Sequence, residues 1–160
     1  MAVTISNTPN PNALKFTVGR DVGRPPVEGH LATRGDGEIH DLTDGGAESV
    51  RESGVTDGTV PVFVPGATAG ITTIEYEPGL LADFPAAMER FAPRDIPYRH
   101  DETWHDGNGH SHLRASLIGP SLTVPVAGGK LLLGTWQQVV LIDFDNKPRQ
   151  RRWTATVIGE

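Results

Sequence analysis

The stretch that decides the fold is Leu122-Thr-Val-Pro-Val-Ala-Gly-Gly-Lys-Leu-Leu-Leu133. Two apolar runs, 122–126 and 130–133, flank the pair Gly128-Gly129. A glycine pair between two strand-like runs is typical of a tight hairpin turn. Since a hairpin joins antiparallel neighbours, this stretch predicts that the protein is built on an antiparallel sheet.

Similar strand-like runs lie on both sides of this hairpin. They are rich in β-branched or alternating apolar residues and are bounded by glycine, proline or aspartate. The further predicted strands are 30–33, 38–42, 59–64, 70–76, 113–118, 136–144 and 152–158. Residues 145–148 are predicted to form a second hairpin-type turn.

Two helices are predicted among these strands. The first covers about 43–53, with Thr43 or Asp44 as its cap and Gly54 after its end. The second covers about 83–91 and follows an apolar repeat of every fourth residue that begins at Leu80. Pro85 suits only the first turn of a helix, so Asp83 is the predicted cap. The fold class is therefore α+β, a mainly antiparallel sheet system with two helices.

Composition sets limits on the class of protein. With 160 residues the chain suits one main domain, and its formal net charge of -6 argues against a nucleic-acid partner. The absence of cysteine excludes disulfides and thiolate metal sites. No run of about 18 apolar residues is present, and no secretory signal is recognised, so we expect no membrane partner and a cytoplasmic location.

Residues 1–27 differ from the rest of the chain. They contain too little apolar sequence for a core of their own, and Thr8-Pro-Asn-Pro-Asn-Ala-Leu-Lys-Phe16 resembles the start of the N-terminal domain of Nfu-type iron–sulfur scaffold proteins. The resemblance covers about residues 1–22. Because such scaffolds hold their cluster with cysteines, we interpret 1–27 as a remnant or docking arm with a linker, and 28–160 as the main domain.

Histidines cluster in one segment of the main domain. Four of the six, His100, His105, His110 and His112, lie between positions 100 and 112. On an extended segment, His110 and His112 would face the same side, as shared metal ligation requires. His100, Asp101, His105 and Glu75 are candidates for the remaining ligands. The alternative is that the pair lies on a surface loop without a ligand.

A possible anion site follows the histidines. Ser116 and Ser121 supply hydroxyls on either side of the turn Gly119-Pro120, and Arg114 supplies a guanidinium suited to phosphate. The simpler alternative is a hairpin with solvent-facing hydroxyls.

From about residue 30 onward the chain resembles the YjbQ family, often described as secondary thiamine-phosphate synthases. The blocks that carry the resemblance are ordered and spread over the domain. They are Ile39-His-Asp-Leu-Thr-Asp44, Val62-Phe-Val-Pro65, Thr73-Ile-Glu75, Tyr98-Arg-His-Asp101, Gly109-His-Ser-His-Leu-Arg-Ala-Ser116, Gly119-Pro-Ser-Leu-Thr-Val-Pro125, Leu133-Gly-Thr-Trp-Gln137 and Val157-Ile-Gly-Glu160.

The resemblance implies a mainly antiparallel, partly open barrel or sandwich that assembles as a homotrimer with sites near subunit interfaces. It implies metal binding in some members. It also implies a weak ability to join the pyrimidine and thiazole phosphates of thiamine. Matching positions suggest that Glu75, His100 and Asp101 are catalytic. The substrate-binding set would be Arg114, Ser116, Ser121, Thr135, Trp136 and Gln137. Zinc, or alternatively magnesium, would be bound by His110, His112 and His100.

One departure from the family pattern bears on the metal. Many members carry a histidine where this chain has Gly66, and the usual asparagine before the acid is Ile74 here. We hypothesise that His110 substitutes in space for the histidine missing at Gly66. Two rival functions stay open: a metal-dependent hydrolase of a small phosphorylated molecule, and a non-catalytic trimer that binds metal or a small ligand.

Overall fold

The strand Gln138–Asp143 lies at the centre of the domain, in a computed structural model that describes residues 27–160. Nine strands and four helices are found in these residues. The strands are β1 (Val27–Thr33), β2 (Glu38–Asp41), β3 (Gly58–Phe63), β4 (Ala69–Ile74), β5 (Ser121–Ala127), β6 (Lys130–Leu131), β7 (Gln138–Asp143), β8 (Arg149–Ala155) and β9 (Ile158–Gly159). The helices are α1 (Thr43–Ser53), α2 (Pro78–Phe91), α3 (Arg99–Trp104) and α4 (Gly109–Ile118).

The strands form two sheets, and every pairing in them is antiparallel. One sheet has the order β1-β8-β3-β5-β6, with β9 also paired to β3, and the other has the order β2-β7-β4. The hairpin predicted around Gly128-Gly129 is β5–β6. The α+β class and the antiparallel sheet are therefore confirmed.

Side chains of β7 alternate between two cores. Val139 and Leu141 pack in the core between the two sheets, whereas Val140 and Ile142 pack in a second core that also contains apolar residues of α2. Because both faces of β7 are covered, its sequence is a continuous apolar run rather than an alternating one. The domain thus has three layers: a sheet, a second sheet, and a helical layer.

The first predicted helix agrees with the bounds of α1, and Gly54 follows it in the left-handed conformation at φ 73°. The prediction that Thr43 or Asp44 caps it is wrong: Leu42 has the cap position without a side-chain hydrogen bond, and the Thr43 hydroxyl accepts the backbone N–H of Val139 instead. The second predicted helix is real but begins earlier, at Pro78. The Glu77 carboxylate caps it by accepting the backbone N–H groups of Gly79 and Leu80. The prediction that Asp83 caps this helix is therefore wrong, and Pro85 lies inside it.

Helices α3 and α4 were not predicted, and the predicted strand 113–118 is part of α4. The apolar residues that suggested a strand, Leu113 and Leu117, are exposed. The face of α4 that is buried carries small or polar residues such as Ser111 and Ala115. Its apolar periodicity is therefore weak, and helix propensity and tertiary packing decide its conformation.

A buried ion network closes one end of the space between the sheets. Both carboxylate oxygens of Asp143 accept hydrogen bonds from Arg151, each at 2.6 Å, and Oδ2 also accepts Thr33 Oγ1 at 2.5 Å. Asp145, which is fully buried, accepts Thr68 Oγ1 at 2.9 Å and Arg149 Nε at 2.8 Å. Burial raises the pKa of Asp145, but hydrogen bonds from Arg149 and Thr68 outweigh it and hold that pKa below its ordinary value.

No helix within residues 27–160 is long and apolar enough to cross a membrane.

Candidate metal centre

The junction between α3 and α4 brings three potential metal ligands together. One ligand atom from each of His100, Asp101 and Asp106 lies within 4.8 Å of the others. His100 and Asp101 belong to α3, and Asp106 lies in the short loop that leads to α4. We call these three residues the His100 cluster.

The geometry of the His100 cluster fits a divalent cation better than it fits direct hydrogen bonds. His100 Nδ1 is buried and has no hydrogen-bond partner in the described part of the chain. It lies 3.6 Å from Asp101 Oδ1 and 3.7 Å from Asp106 Oδ1. Two ligands bound at about 2.1 Å to a tetrahedral cation lie about 3.4 Å apart. A nitrogen and two carboxylate oxygens at such spacing form a donor set suited to zinc and to harder divalent ions.

The two carboxylates of the His100 cluster are held by different groups. Asp101 Oδ1 accepts the backbone N–H of Gly109 at 3.0 Å, which ties it to the start of α4. The buried side chain of Asn108 also lies against Asp106. When its amide is oriented so that the nitrogen faces Asp106, the orientation that the surrounding donors and acceptors favour, it donates to both carboxylate oxygens at 3.0 and 3.3 Å. Such outer partners fix the orientation of metal ligands.

His112 lies against His100 at the edge of the His100 cluster. Their rings are stacked, with centroids 4.2 Å apart and planes inclined by 30°. Burial, and then the neighbouring His100 ring, lower the pKa of His112 below its ordinary value of 6.5. His112 is therefore neutral at pH 7, which is the protonation state in which an imidazole binds metal. The structure thus brings together three predicted site residues, His100, Asp101 and His112.

His110 does not share a face with His112, because the segment is a helix and not the extended chain that we predicted. Two residues along a helix differ by about 200° in direction. His110 is 1% exposed, its Nε2 lies 3.3 Å from Ser111 Oγ, and its ring lies 6.3 Å from that of Tyr98. Burial, followed by the charges of Arg114 and Arg94, lowers the pKa of His110. His110 therefore lies outside the His100 cluster.

Gly66, where the family resemblance predicts a histidine, lies in a different environment from His110. It is exposed, and a side-chain Cβ built there would come within 3.2 Å of Arg151 Nη1. Its φ of 128° favours glycine. These surroundings give no support to the hypothesis that His110 replaces the missing histidine.

Arg114, predicted to bind phosphate, is committed to the fold. Its side chain is only 3% exposed. Nε and Nη2 donate to the Ala92 carbonyl at 3.0 and 2.7 Å, and Nη2 also donates to Glu89 Oε2 at 2.5 Å. The guanidinium therefore joins α4 to the end of α2, and a role in substrate binding is not supported by this arrangement.

The predicted serines lie at either end of the α4–β5 connection. Ser116 is exposed on α4, and its hydroxyl donates to the His112 carbonyl at 2.7 Å. Ser121 is exposed at the start of β5, opposite Phe63. The segment before the turn is helical, so the two hydroxyls do not belong to a simple hairpin as the alternative interpretation supposed.

The remaining predicted residues lie at the opposite end of β7. Ile74 pairs with Gln138 there, and Gln137 Nε2 donates to Thr73 Oγ1 at 3.0 Å. This end, which we call the Trp136 end, carries the exposed residues Glu75, Thr135, Trp136 and Gln137. At about 3.4 Å per residue, the five steps from Gln138 to Asp143 span roughly 17 Å. The His100 cluster is tied to the Asp143 side, because Asn146 donates to the Asp106 carbonyl.

Sequence reasoning missed Asp106 and Asn146. Asp106 stands next to His105 in the histidine-rich segment, and this position was the available signal. Asn146 has no local signal, because its contact with Asp106 joins residues 40 positions apart.

Fold and site together define a small α+β protein with an antiparallel two-sheet core and a candidate centre of nitrogen and oxygen ligands. The chain belongs to the YjbQ family: the family model described as "UPF0047 protein YjbQ-like" matches residues 28–160. The family recognised from the sequence is thereby confirmed.

Similar proteins occur in archaea and bacteria. A UPF0047 protein of Archaeoglobus fulgidus is 43% identical over 115 residues, which cover 72% of this chain and 86% of that protein. UPF0047 protein YugU of Bacillus subtilis is 34% identical over 124 residues, covering 76% of this chain and 90% of YugU. A crystal structure of a YbjQ-like protein of unknown function from Sulfolobus solfataricus P2 matches with a TM-score of 0.76 at 30% identity, and covers 85% of this chain and 99% of that one.

Proposed function

We propose that this protein is a metal-assisted transferase that acts on small phosphorylated molecules, with joining of hydroxymethylpyrimidine diphosphate and thiazole phosphate as its reaction. The observation that carries the proposal is the His100 cluster. A buried imidazole nitrogen without a hydrogen-bond partner faces two carboxylates at distances that suit shared ligation of one cation. The family resemblance supplies the identity of the substrates.

The charge of the cluster explains why a cation is required. Asp101 and Asp106 are acidic, and Asp145 acts on His112 as a third nearby negative charge. Such a site repels phosphate unless a cation is bound. Zinc or magnesium, held by His100, Asp101 and Asp106, would supply Lewis-acid stabilisation of the leaving diphosphate.

The reaction itself is a substitution. The thiazole nitrogen forms a bond to the methylene carbon of the pyrimidine, the carbon–oxygen bond to diphosphate breaks, and diphosphate leaves with the bonding electrons. The chain has to orient both substrates and exclude water, because water in place of thiazole phosphate would give hydrolysis. Asp101 would share the cation with His100 and Asp106, and the neutral His112 ring would form one wall of the site. The exposed Ser121 hydroxyl could donate to a phosphate group, whereas the Ser116 hydroxyl would first have to leave the His112 carbonyl.

We further propose that the protein is a homotrimer in which each site is shared. Glu75, Trp136 and Gln137 lie at the opposite end of β7 from the side to which the His100 cluster is tied. Since β7 is roughly 17 Å long, the two ends are too far apart to act on the same small molecule within one chain. Trp136 is 70% exposed and Leu132 is also exposed, as expected for residues covered by a second copy. In this arrangement the Trp136 end of one subunit completes the His100 cluster of the next.

Product analysis tests the transfer reaction. Purified protein is incubated with pyrimidine diphosphate, thiazole phosphate and either zinc or magnesium, and thiamine phosphate and diphosphate are quantified. We expect thiamine phosphate to form in the presence of the cation and Asp106→Asn to lose at least about tenfold in rate. Release of diphosphate without thiamine phosphate would identify a hydrolase instead. Bound metal without any turnover would favour the binding-protein alternative.

Mixing two inactive variants tests the shared site. Glu75→Gln and His100→Ala are each expected to be inactive as homotrimers. Each site would need an intact Trp136 end from one subunit and an intact His100 cluster from its neighbour. Random exchange of equal amounts of the two variants gives this pairing at about a quarter of the sites, so about a quarter of wild-type activity should return. Absence of any recovery after exchange, with trimers verified by light scattering, would show that the site lies within one chain.

A further inference from the structure

The loop that carries Asp106 contains two residues in the left-handed backbone region. His105 has a φ of 55° and Gly107 a φ of 64°, so left-handed residues stand on both sides of Asp106. The conformation is unfavourable for the non-glycine residue His105. The His105 N–H caps α3 by donating to the Asp101 carbonyl at 2.9 Å, and contacts from elsewhere add to the stability of the loop.

One side chain from a distant element makes such a contact. Asn146, in the turn between β7 and β8, donates from Nδ2 to the Asp106 carbonyl at 2.9 Å and to the Gly107 carbonyl at 3.2 Å. A single amide group therefore holds two successive carbonyls of the loop. A Cβ at Gly107 would lie 3.8 Å from this amide, so the two segments are in close contact.

The turn that carries Asn146 is itself anchored in the buried ion network. Asp145, the residue before it, is fully buried and bonded to Thr68 and Arg149. The Asp145 carbonyl also accepts the backbone N–H of Asp36 at 2.7 Å. Asn146 thus connects a rigid part of the two-sheet core to the loop that presents Asp106.

We propose that Asn146 is a positioning residue, which holds the Asp106 carboxylate at the distance from His100 that shared cation binding requires. This inference rests on the proposed metal function for its consequence, but its structural part concerns this chain alone. Asn108 orients the carboxylate and Asn146 fixes the backbone below it, so the two amides have separate roles. Loss of such an outer partner weakens metal binding by about 10- to 100-fold.

The test compares Asn146→Ala and Asn146→Asp with a neighbouring control, Lys147→Ala. Asn146→Asp keeps the size of the side chain but removes the amide donor, and Lys147 is exposed in the same turn. Cobalt(II) is the probe, since its visible absorption reports both affinity and ligand geometry. We expect both Asn146 variants to bind cobalt about 10- to 100-fold more weakly with an altered spectrum, and Lys147→Ala to match the wild type.

Two further measurements separate this inference from a general loss of structure and from failure of the proposed function. The free energy of unfolding in urea should be nearly the same for the Asn146 variants and the wild type. A cobalt affinity and spectrum of Asn146→Ala equal to those of the wild type would overturn the inference. If the wild type itself binds no cobalt, the proposed metal function fails. The role of Asn146 is then decided by hydrogen exchange of the Gly109 amide, which is bonded to Asp101. Faster exchange in Asn146→Ala upholds that role, and unchanged exchange refutes it.

Discussion

Replacing Arg114 with alanine separates two opposite roles for this residue. A guanidinium that binds substrate phosphate can be removed with little effect on folding. A guanidinium that is 3% exposed and bonded to Ala92 and Glu89 cannot, because its partners are left behind. We expect Arg114→Ala to lower the free energy of unfolding substantially.

The size of the effect follows from the contacts. The Ala92 carbonyl belongs to a buried residue and loses two donors, which costs about 1–3 kcal/mol. The ion pair with Glu89 adds less, because that carboxylate is 48% exposed and solvent screens it. Together with lost packing between α2 and α4, the expected cost is about 2–4 kcal/mol. For a chain of this length that lowers Tm by roughly 4–16 °C.

Chemical and thermal unfolding of purified protein measure this cost directly. Arg90→Ala is the matched control, since Arg90 is an exposed arginine on α2 and should change the free energy of unfolding by less than about 0.5 kcal/mol. Arg114→Lys keeps the positive charge but not the forked N–H donors of the guanidinium. We expect its free energy of unfolding to lie between those of the wild type and Arg114→Ala. If Arg114→Ala were as stable as the wild type and bound phosphate more weakly, the structural role would be refuted and the role in phosphate binding that the sequence predicted would be restored.

Three other perturbations follow from the same structure. Asp143→Ala leaves the Arg151 guanidinium buried without its main partner, and it should lower the free energy of unfolding in urea by about 3–5 kcal/mol. The double variant Asp143→Leu/Arg151→Met should lose less stability than the sum of the two single changes. Strict additivity of the two changes would contradict this coupling. Gly66→Ala should cost about 1–3 kcal/mol, because φ is 128° and the new methyl group meets Arg151, and an unchanged Tm would show that the loop relaxes freely. The Arg94 backbone N–H, followed by the Arg114 guanidinium, lowers the pKa of Glu89 below its ordinary 4.5. The unfolded chain therefore protonates Glu89 more readily than the folded one, so the ionised carboxylate stabilises the fold above pH 4.5 and this stabilisation is lost as the pH falls below 4.5. In Glu89→Gln the free energy of unfolding should fall less steeply over that pH range, and a pH profile identical to the wild type would exclude the effect.

Local sequence patterns were sufficient for most of the sheet and for α1. The strands have β-branched runs with clear turn residues between them, and Gly54 marks the end of α1 in the conformation that favours glycine. Local signals were insufficient for α4. Its exposed residues are leucines and its buried face is small and polar, so the usual relation between apolar pattern and burial is reversed there.

The candidate site shows the same division. The sequence indicated the segment that holds the candidate metal ligands, since four histidines cluster between positions 100 and 112 and histidine is the commonest metal ligand in proteins. It did not distinguish His112 from His110, because that choice depends on whether the segment is a helix or a strand. Asp106 enters the site only because the loop before α4 folds back onto His100.

By itself, the sequence determined the class of fold, the family and the region of the candidate site, because periodicity, turn residues and ordered family motifs are local along the chain. The tertiary structure alone decided which candidate ligands converge, that Arg114 is bonded within the fold, and that Glu75 and Trp136 lie at the far end of β7 from the His100 cluster. These relations join residues far apart in the sequence, and their distances are set by strand pairing and helix packing, which no local pattern encodes.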